Sequence, residues 1–225
     1  MEELHPEFKD GEEKYNELIA NQVLKSLKKN GIKGRSFKTS EEAVDWLITK
    51  LPQGGVVGVG GSRTLFQTGL IDNLIKLDKS EKIKFINRWA EGISPKDEFQ
   101  TRYDNLSADV FLASTNAITL DGKLINIDGM GNRLAAMMFG PKKVYFLVGR
   151  NKIVRNVEEG IDRVRNVAAP KNAIRYKLKL PCTETGSCDE PNCHGGRICN
   201  FTLIIERGFN PARMTVLLID EDLGY

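Results

Sequence analysis

The feature that most constrains the fold is an alternation of short apolar runs with amphipathic segments, which begins at residue 55. The runs at 55–60, 82–87 and 108–114 are typical of buried strands, and the segments at 62–76 and 94–107 have helical spacing. Chains that alternate strands and helices in this way form a parallel sheet with helices on both faces. We therefore expect an α/β fold with a Rossmann-like, mostly parallel sheet.

The middle of the chain interrupts this alternation. Residues 116–129 contain two alternating runs around Asp121 and Gly122, and Asp-Gly between two such runs indicates a two-residue hairpin turn. A short helix over 131–140 and a buried strand over 142–149 follow. We therefore expect a β-hairpin in this part of the chain.

Helical spacing also covers the N-terminal part of the chain. Residues 11–30 predict a helix that stops at Gly31, and Thr39 with Glu42 resembles the capping box of a second helix. We expect a single domain over 1–225, in which residues 1–35 form a helical extension.

The C-terminal part predicts one more helix and three strands. A helix over 151–169 is expected to end before Pro170, because proline lacks the N–H group that a helix interior needs. The apolar runs at 173–180, 201–207 and 213–225 predict three strands at one edge of the sheet.

Composition excludes several classes of protein. The 225 residues carry 33 basic and 30 acidic side chains, a net charge of +3 that is too balanced to predict nucleic-acid binding. The N-terminus is acidic, unlike a signal peptide, and no run of about 18 apolar residues predicts a membrane span. We expect a cytoplasmic protein with neither nucleic acid nor membrane as a partner, and an oligomer is possible.

The first candidate site is the glycine-rich turn after the strand at 55–60. Backbone N–H groups at such a turn favour an anion, although Arg63 stands where a dinucleotide-binding turn has its third glycine. The alternative is a tight turn that needs glycine only for its backbone conformation. The candidate anion-binding residues of this turn are Gly58, Gly60, Gly61, Ser62 and Thr64.

The second candidate site follows the strand at 108–114, where polar residues are expected to converge on the glycine turn. Asp128 is the candidate catalytic base, and Arg133 is a candidate to hold a carboxylate or phosphate in a bidentate manner. The alternative is that Asp128 and Asn132 serve as turn and cap residues. The candidate binding residues here are Asn116, Asn126, Asn132 and Arg133. Because His5 and His194 are the only histidines, no Ser-His-Asp arrangement is expected.

All four cysteines lie in a Gly- and Pro-rich loop over 181–200. A cytoplasmic location argues against disulfides, and four thiolates suffice to bind zinc or an iron–sulfur cluster. The spacing matches neither a zinc knuckle nor a ferredoxin, so the metal is left open, and a non-metal structural or redox-thiol role is the alternative. The candidate metal ligands are Cys182, Cys188, Cys193 and Cys199.

Several segments together resemble the LUD family of lactate-utilisation (LutC-like) proteins. They are the VGVGGSRTL turn at 57–65, the long middle segment at 108–154, the cysteine segment at 181–200 and the terminal LGY. The likeness covers about residues 12–225, and the middle segment is its most specific part.

The resemblance implies a fold similar to that of ribose-5-phosphate isomerase, glucosamine-6-phosphate deaminase and the CoA transferases, which is a Rossmann-like parallel sheet with a β-hairpin at its side. It also implies a component of a system that oxidises L-lactate to pyruvate, working with iron–sulfur partner proteins. The residues leave two alternatives open: an isomerase- or transferase-like enzyme for a phosphorylated sugar or CoA-linked acid, and a zinc-clipped binding protein without catalysis.

Overall fold

The computed structural model describes residues 6–225, and their side chains from residue 8 onward. The helices are α1 Pro6–Lys29, α2 Ser40–Ile48, α3 Arg63–Gln67, α4 Leu70–Lys79, α5 Pro95–Asp104, α6 Asn132–Met138, α7 Val157–Arg163, α8 Ala169–Arg175 and α9 Pro181–Thr185. The strands are β1 Lys33–Phe37, β2 Val56–Val59, β3 Lys84–Phe85, β4 Val110–Ala113, β5 Ala117–Thr119, β6 Leu124–Asp128, β7 Lys143–Gly149, β8 Ile153–Val154, β9 Phe201–Ile205 and β10 Met214–Ile219.

The main sheet has six parallel strands in the order β1-β10-β7-β4-β2-β3. Alternate residues of its central strands enter different apolar cores. In β7, Tyr145 and Leu147 pack on the side of α2 and α4, whereas Val144 and Phe146 pack on the side of α1 and α6. Both faces are therefore covered, which confirms the predicted parallel α/β sheet.

The side sheet has the order β8-β5-β6-β9, and its antiparallel β5–β6 pair is the predicted hairpin. Its turn has three residues between Thr119 and Lys123, one more than predicted, with Gly122 at φ +81°. A Cβ at Gly122 would lie 2.8 Å from the backbone N of Leu27 in α1. The glycine thus serves both the turn and the close approach of the first helix.

The prediction of three C-terminal edge strands is wrong in two respects. The strand at 213–225 is β10, which lies between β1 and β7 in the middle of the main sheet, and all its residues are buried. Residues 173–180 form the end of α8 and a turn, in which Leu178 N–H donates to the carbonyl of Ala173. The strand at 201–207 is present as β9, but it extends the side sheet.

The predicted helix over 151–169 starts later and continues beyond Pro170. Residues 150–152 form a 3-10 turn, β8 follows, and the helix begins at Val157. A π-helical segment over Val164–Ala168 precedes α8, with Pro170 in the first turn of α8. The wider π turn lets the chain accept a residue without a donor N–H, so Pro170 does not end the helix.

Three smaller differences concern the first half of the chain. The predicted helix over 62–76 is divided at Gly69, which has φ +70°, and the strand at 82–87 keeps only two paired residues. Strand β1 was not predicted because its polar residues are mostly exposed at the sheet edge. The predicted cap of α2 is confirmed, since Glu42 N–H donates to Thr39 Oγ1 at 3.2 Å.

Over residues 6–225, no helix combines the length and apolar character that crossing a membrane requires.

Candidate functional site

A cleft of ≈ 460 Å³ lies at the carboxyl ends of β2 and β4, where parallel α/β sheets usually bind ligands. The glycine turn forms one wall, and the start of α6 forms another. The C-terminal part of α8 and the end of the chain complete it. The lining residues with polar side chains include Ser62, Arg63, Thr64, Arg88, Arg102, Ser114, Asn116, Asp128, Asn132, Arg133, Lys152, Asn172, Arg175, Tyr176 and Tyr225.

The most unusual group of this cleft is the amine of Lys152, which the turn after β7 places below the strand ends. Lys152 is only 3% exposed, and its Nζ lies 2.7 Å from Thr64 Oγ1 and 2.8 Å from Ser114 Oγ. Within residues 6–225 it forms no ion pair with a carboxylate. Burial, together with the charges of Arg163 and Arg133, lowers the pKa of Lys152 to about 7.

The two hydroxyl groups beside this amine differ in their own bonds. Ser114 Oγ donates to the carbonyl of Leu147 at 2.6 Å, so it accepts from Lys152. Thr64 Oγ1 donates no hydrogen bond to another residue in the described part of the chain. Gly224, at φ +75°, lies against this pair, and a Cβ there would be 2.4 Å from Thr64 Oγ1 and 2.9 Å from Lys152 Nζ.

Arg133 is a second cation of the cleft, largely but not fully buried, and protein acceptors surround its guanidinium group. One terminal nitrogen donates to Asn126 Oδ1 at 2.9 Å and to the carbonyl of Ser114 at 3.4 Å. The other donates to the carbonyl of Ile127 at 2.8 Å and to Asn116 Oδ1 at 3.2 Å. These bonds tie α6 to the ends of β4 and β6. The predicted role of Arg133 as an anion ligand stays a prediction.

Asp128 also makes local contacts at the start of α6. Its Oδ1 accepts from Gly129 N–H at 2.8 Å, and its Oδ2 accepts from Arg133 N–H at 3.2 Å. The carboxylate therefore caps the helix while it borders the cleft, and its proposed role as a base stays a prediction.

Most of the predicted binding residues do meet in the cleft. Gly61, Ser62, Thr64, Asn116, Asp128, Asn132 and Arg133 line it. Gly58, Gly60 and Asn126 are not among the lining residues. Gly58 lies inside β2 against Asn105, Gly60 lies against the side chain of Arg133, and Asn126 is fully buried beneath Arg133.

Sequence reasoning missed most of the positive charge of the cleft. Arg88 lies after β3 and forms an ion pair with Glu98, yet its buried Nε has no hydrogen-bond partner. Arg63 contacts the ring of Tyr225, and Arg175 contacts the ring of Tyr176. A position after a predicted strand could have identified two of these cations as cleft residues. Arg88 directly follows the strand at 82–87, and Lys152 follows the strand at 142–149 after a short turn.

The four cysteines line a second, much smaller cavity of ≈ 20 Å³. All four thiols are free and partly buried. Burial, reinforced by the neighbouring thiols, raises the pKa of Cys182 and of Cys188. In residues 6–225, no group of three or more His, Cys, Asp or Glu side chains is arranged to hold a metal ion. The donor type thus suits zinc or iron–sulfur chemistry, but the arrangement of the thiols does not fit it.

Glu190 connects the cysteine loop to the rest of the molecule. Its carboxylate accepts from Arg165 at 2.6 Å and from Arg197 at 3.3 Å, while Cys188 N–H donates to Asn166 Oδ1 at 2.9 Å. His194 is exposed in this loop. His5 lies outside the described residues.

The two cavities share one wall. Ile198, from the cysteine loop, lines both the thiol cavity and the cleft. A Cβ added to Gly129 would lie 3.2 Å from the Cα of Ile198, so the loop packs directly on the segment after β6. The cysteine loop and the cleft are therefore neighbours, although they are distant in sequence.

Comparison with known proteins gives one family match. The model of the LUD domain matches residues 20–219. Among solved structures, a DUF162 family protein from Deinococcus radiodurans is similar, with 14% identity, a TM-score of 0.49 and coverage of 91% of this chain and 98% of that chain. Ribose 5-phosphate isomerase from Plasmodium falciparum shares 14% identity at a TM-score of 0.34, over 59% of this chain and 66% of that one. The comparison with curated proteins gave no significant match.

Proposed function

The chain belongs to the LUD domain family, and on that premise we propose that its cleft binds a small anionic metabolite. The metabolite class is a 2-hydroxy or 2-oxo acid, and the protein acts as a component of a system that oxidises L-lactate to pyruvate. The observation that carries this proposal is the excess of positive charge in the cleft. Five arginines and Lys152 line the cleft, whereas Asp128 is the only Asp or Glu among its described lining residues.

The cations of the cleft are not equally available to a ligand. Arg133 donates to protein acceptors, and Arg88 and Arg102 both contact Glu98. Arg63 and Arg175 are exposed and form no ion pair with a carboxylate in the described part of the chain. A planar guanidinium with free donors suits a carboxylate, so these two arginines are the proposed first contacts of the ligand.

The volume of the cleft supports a second candidate. A cleft of ≈ 460 Å³ is within the usual range for small-molecule sites but exceeds a three-carbon acid. A larger anion, such as a phosphorylated sugar or a CoA-linked acid, would use the same arginines and more of the space. The protein would then be an isomerase- or transferase-like enzyme.

Calorimetric titration tests both candidates in one series. L-lactate, pyruvate, a sugar phosphate and acetyl-CoA are each titrated into the wild type and into Arg175→Gln. We expect one class of anion to bind the wild type. Arg175→Gln removes a charged hydrogen bond of about 1.5–3 kcal/mol, so we expect it to weaken the binding of that class roughly tenfold or more. Arg207→Gln, an exposed arginine outside the cleft, is the matched control and should bind like the wild type. If no anion binds, or if both variants bind equally well, the proposed function is wrong.

The cysteine loop is the second part of the proposal, as a metal or iron–sulfur site that contacts iron–sulfur partner proteins in the cytoplasm. Its support is that all four cysteines border a single cavity. Because their present arrangement does not hold a metal, binding would require the thiols to move closer together. Metal and sulfide analysis of protein purified without oxygen tests this part. Metal-free, colourless protein with four titratable thiols would favour a structural or redox-thiol role. Bound zinc that has no effect on anion binding by the cleft would favour a zinc clip.

A further inference from the structure

We propose that Lys152 is a carbonyl-reactive amine, whose Nζ attacks the carbonyl carbon of a 2-oxo acid in the cleft and forms an imine with it. This inference rests on the proposed function, because it takes the bound anion to be a 2-oxo acid. It adds a covalent step and assigns that step to one atom of a residue that the sequence patterns did not single out.

The surroundings of Lys152 favour its neutral form, which is the nucleophilic one. The side chain is 3% exposed, no carboxylate pairs with it in the described part of the chain, and its charged neighbours are Arg133 and Arg163. With its pKa lowered to about 7, the amine is neutral in a large fraction of molecules at neutral pH. An exposed lysine is neutral in a fraction on the order of 10⁻³ at that pH. Lys152 is therefore chemically distinct from the surface lysines.

The hydrogen bonds of the amine also orient its lone pair. Ser114 Oγ donates to the carbonyl of Leu147, so one N–H of Lys152 is directed to Ser114. A second N–H is directed to Thr64 Oγ1 at 2.7 Å. A neutral amine has two N–H bonds and one lone pair, so these two donations leave the lone pair unshared, and Lys152 lines the cleft in which the carbonyl would bind.

The reaction balances with the groups that are present. The C–N bond forms as the carbonyl π bond breaks, and the carbonyl oxygen takes up a proton to give a carbinolamine. Loss of the hydroxyl group as water breaks the C–O bond, and the two hydrogens of that water equal the two that the amine nitrogen loses. The Thr64 hydroxyl, which donates to no other described residue, is placed to carry these protons between nitrogen and oxygen. No oxidant or reductant is needed.

The cleft also offers a place for the carboxylate of such a substrate. Arg63 and Arg175 line the same cavity as Lys152 and form no ion pair with a carboxylate in the described part of the chain. A 2-oxo acid carries its carboxylate next to its carbonyl, so one guanidinium contact would hold the carbonyl within the cleft. A 2-hydroxy acid could bind there but has no carbonyl with which to react. The amine would thus distinguish the oxidised acid from the reduced one.

Reductive trapping tests the inference. The full-length protein is incubated with pyruvate and sodium cyanoborohydride at pH 7, and the adduct is located by peptide mass mapping. We expect a single reduced pyruvyl adduct on Lys152 in the wild type and none at that peptide in Lys152→Met. With L-lactate no adduct should form. Lys142→Met, which removes an exposed lysine at the start of β7, should be labelled like the wild type.

Further variants separate the imine from a purely structural or binding role. Thr64→Val keeps the size of the side chain, and we expect it to slow adduct formation at least tenfold at saturating pyruvate, with the affinity for pyruvate measured separately by calorimetry. Melting temperatures show whether each variant is folded, and Lys152→Arg provides a second variant that keeps a cation. Pyruvate binding without any Lys152 adduct would overturn the imine but leave the proposed function intact. Absence of both binding and adduct would overturn both proposals.

Discussion

The cleft and the cysteine loop are adjacent but differ in how their functional groups are held. In the cleft, Arg133 has four acceptors and Lys152 has two hydroxyl partners. These partners lie in β6, directly after β4 or in the first turn of α3. In the loop over 181–200, the thiols border a cavity, but only Cys182 lies within a helix, the short α9, and the other three lie outside helices and strands. The comparison shows that hydrogen bonds hold the cations of the cleft in fixed positions, whereas the irregular loop brings the four thiols near one another without arranging them around a metal.

The strongest test of this difference is to remove one arginine that contacts each region. Arg133→Met removes the donor of four hydrogen bonds, although Asn116 Oδ1 keeps its bond from the Ile127 N–H group. We expect the variant to lower the free energy of unfolding by about 3–5 kcal/mol. Arg165→Met removes a partly exposed ion pair with Glu190 and should cost about 0–1 kcal/mol. Urea denaturation of both variants measures the difference. Similar losses would mean that the loop is as firmly built as the cleft.

A matched pair of glycines gives a smaller effect. Gly224 and Gly186 both have positive φ, but only Gly224 lies within 4 Å of other atoms at the Cβ position. Gly186→Ala should cost about 1–2 kcal/mol for its backbone conformation alone. Gly224→Ala adds the contact with Thr64 and Lys152, for a total of about 2–4 kcal/mol. Thermal unfolding compares the two, and equal losses would show that the chain end does not pack firmly on the cleft.

The smallest expected effect, counted per pH unit, is the contribution of Lys152 to the pH dependence of stability. Its pKa is about 7 in the folded protein and higher when unfolded, so the unfolded chain binds more protons between these two values. The stability of the wild type relative to Lys152→Met should therefore rise with pH, by about 1.4 kcal/mol per unit between pH 7 and 9. Lys152 lowers the stability by its full amount at pH values below its pKa in the folded protein. This loss disappears at pH values above its pKa in the unfolded chain.

Urea denaturation of both proteins at several pH values measures this slope. The groups that face the amine are the hydroxyls of Thr64 and Ser114 and the guanidinium groups of Arg133 and Arg163, none of which titrates in that range. A flat difference would show that Lys152 is charged in the folded protein, which would also weaken the case for a reactive amine.

Local sequence patterns predicted the elements that local forces decide. The β5–β6 hairpin followed from Asp121-Gly122, and the cap of α2 followed from Thr39 and Glu42, because each involves residues close in sequence. The central position of β10 was missed because strand order depends on long-range packing. The continuation of the helix past Pro170 was missed because a π turn is invisible to residue spacing.

The candidate site followed a similar rule. Ser62, Thr64, Asn116, Asp128 and Asn132 line one cleft, and their role in binding a ligand stays a prediction. Lys152 was missed because a single lysine in a charged turn looks like a surface residue, and only the packed structure shows its burial. The same limit applies to Arg133, since a sequence cannot show that four protein acceptors already surround its guanidinium.

The shared wall at Ile198 has a consequence for signalling between the two regions. The residue lies one position before Cys199 and lines both the thiol cavity and the cleft, so a chemical change at the thiols that displaced this side chain would also change the wall of the cleft. By thermodynamic reciprocity, occupancy of the cleft would alter the affinity of the thiols for whatever they bind. Under the proposed function, this isoleucine would then link the chemical state of the thiols to the presence of the metabolite.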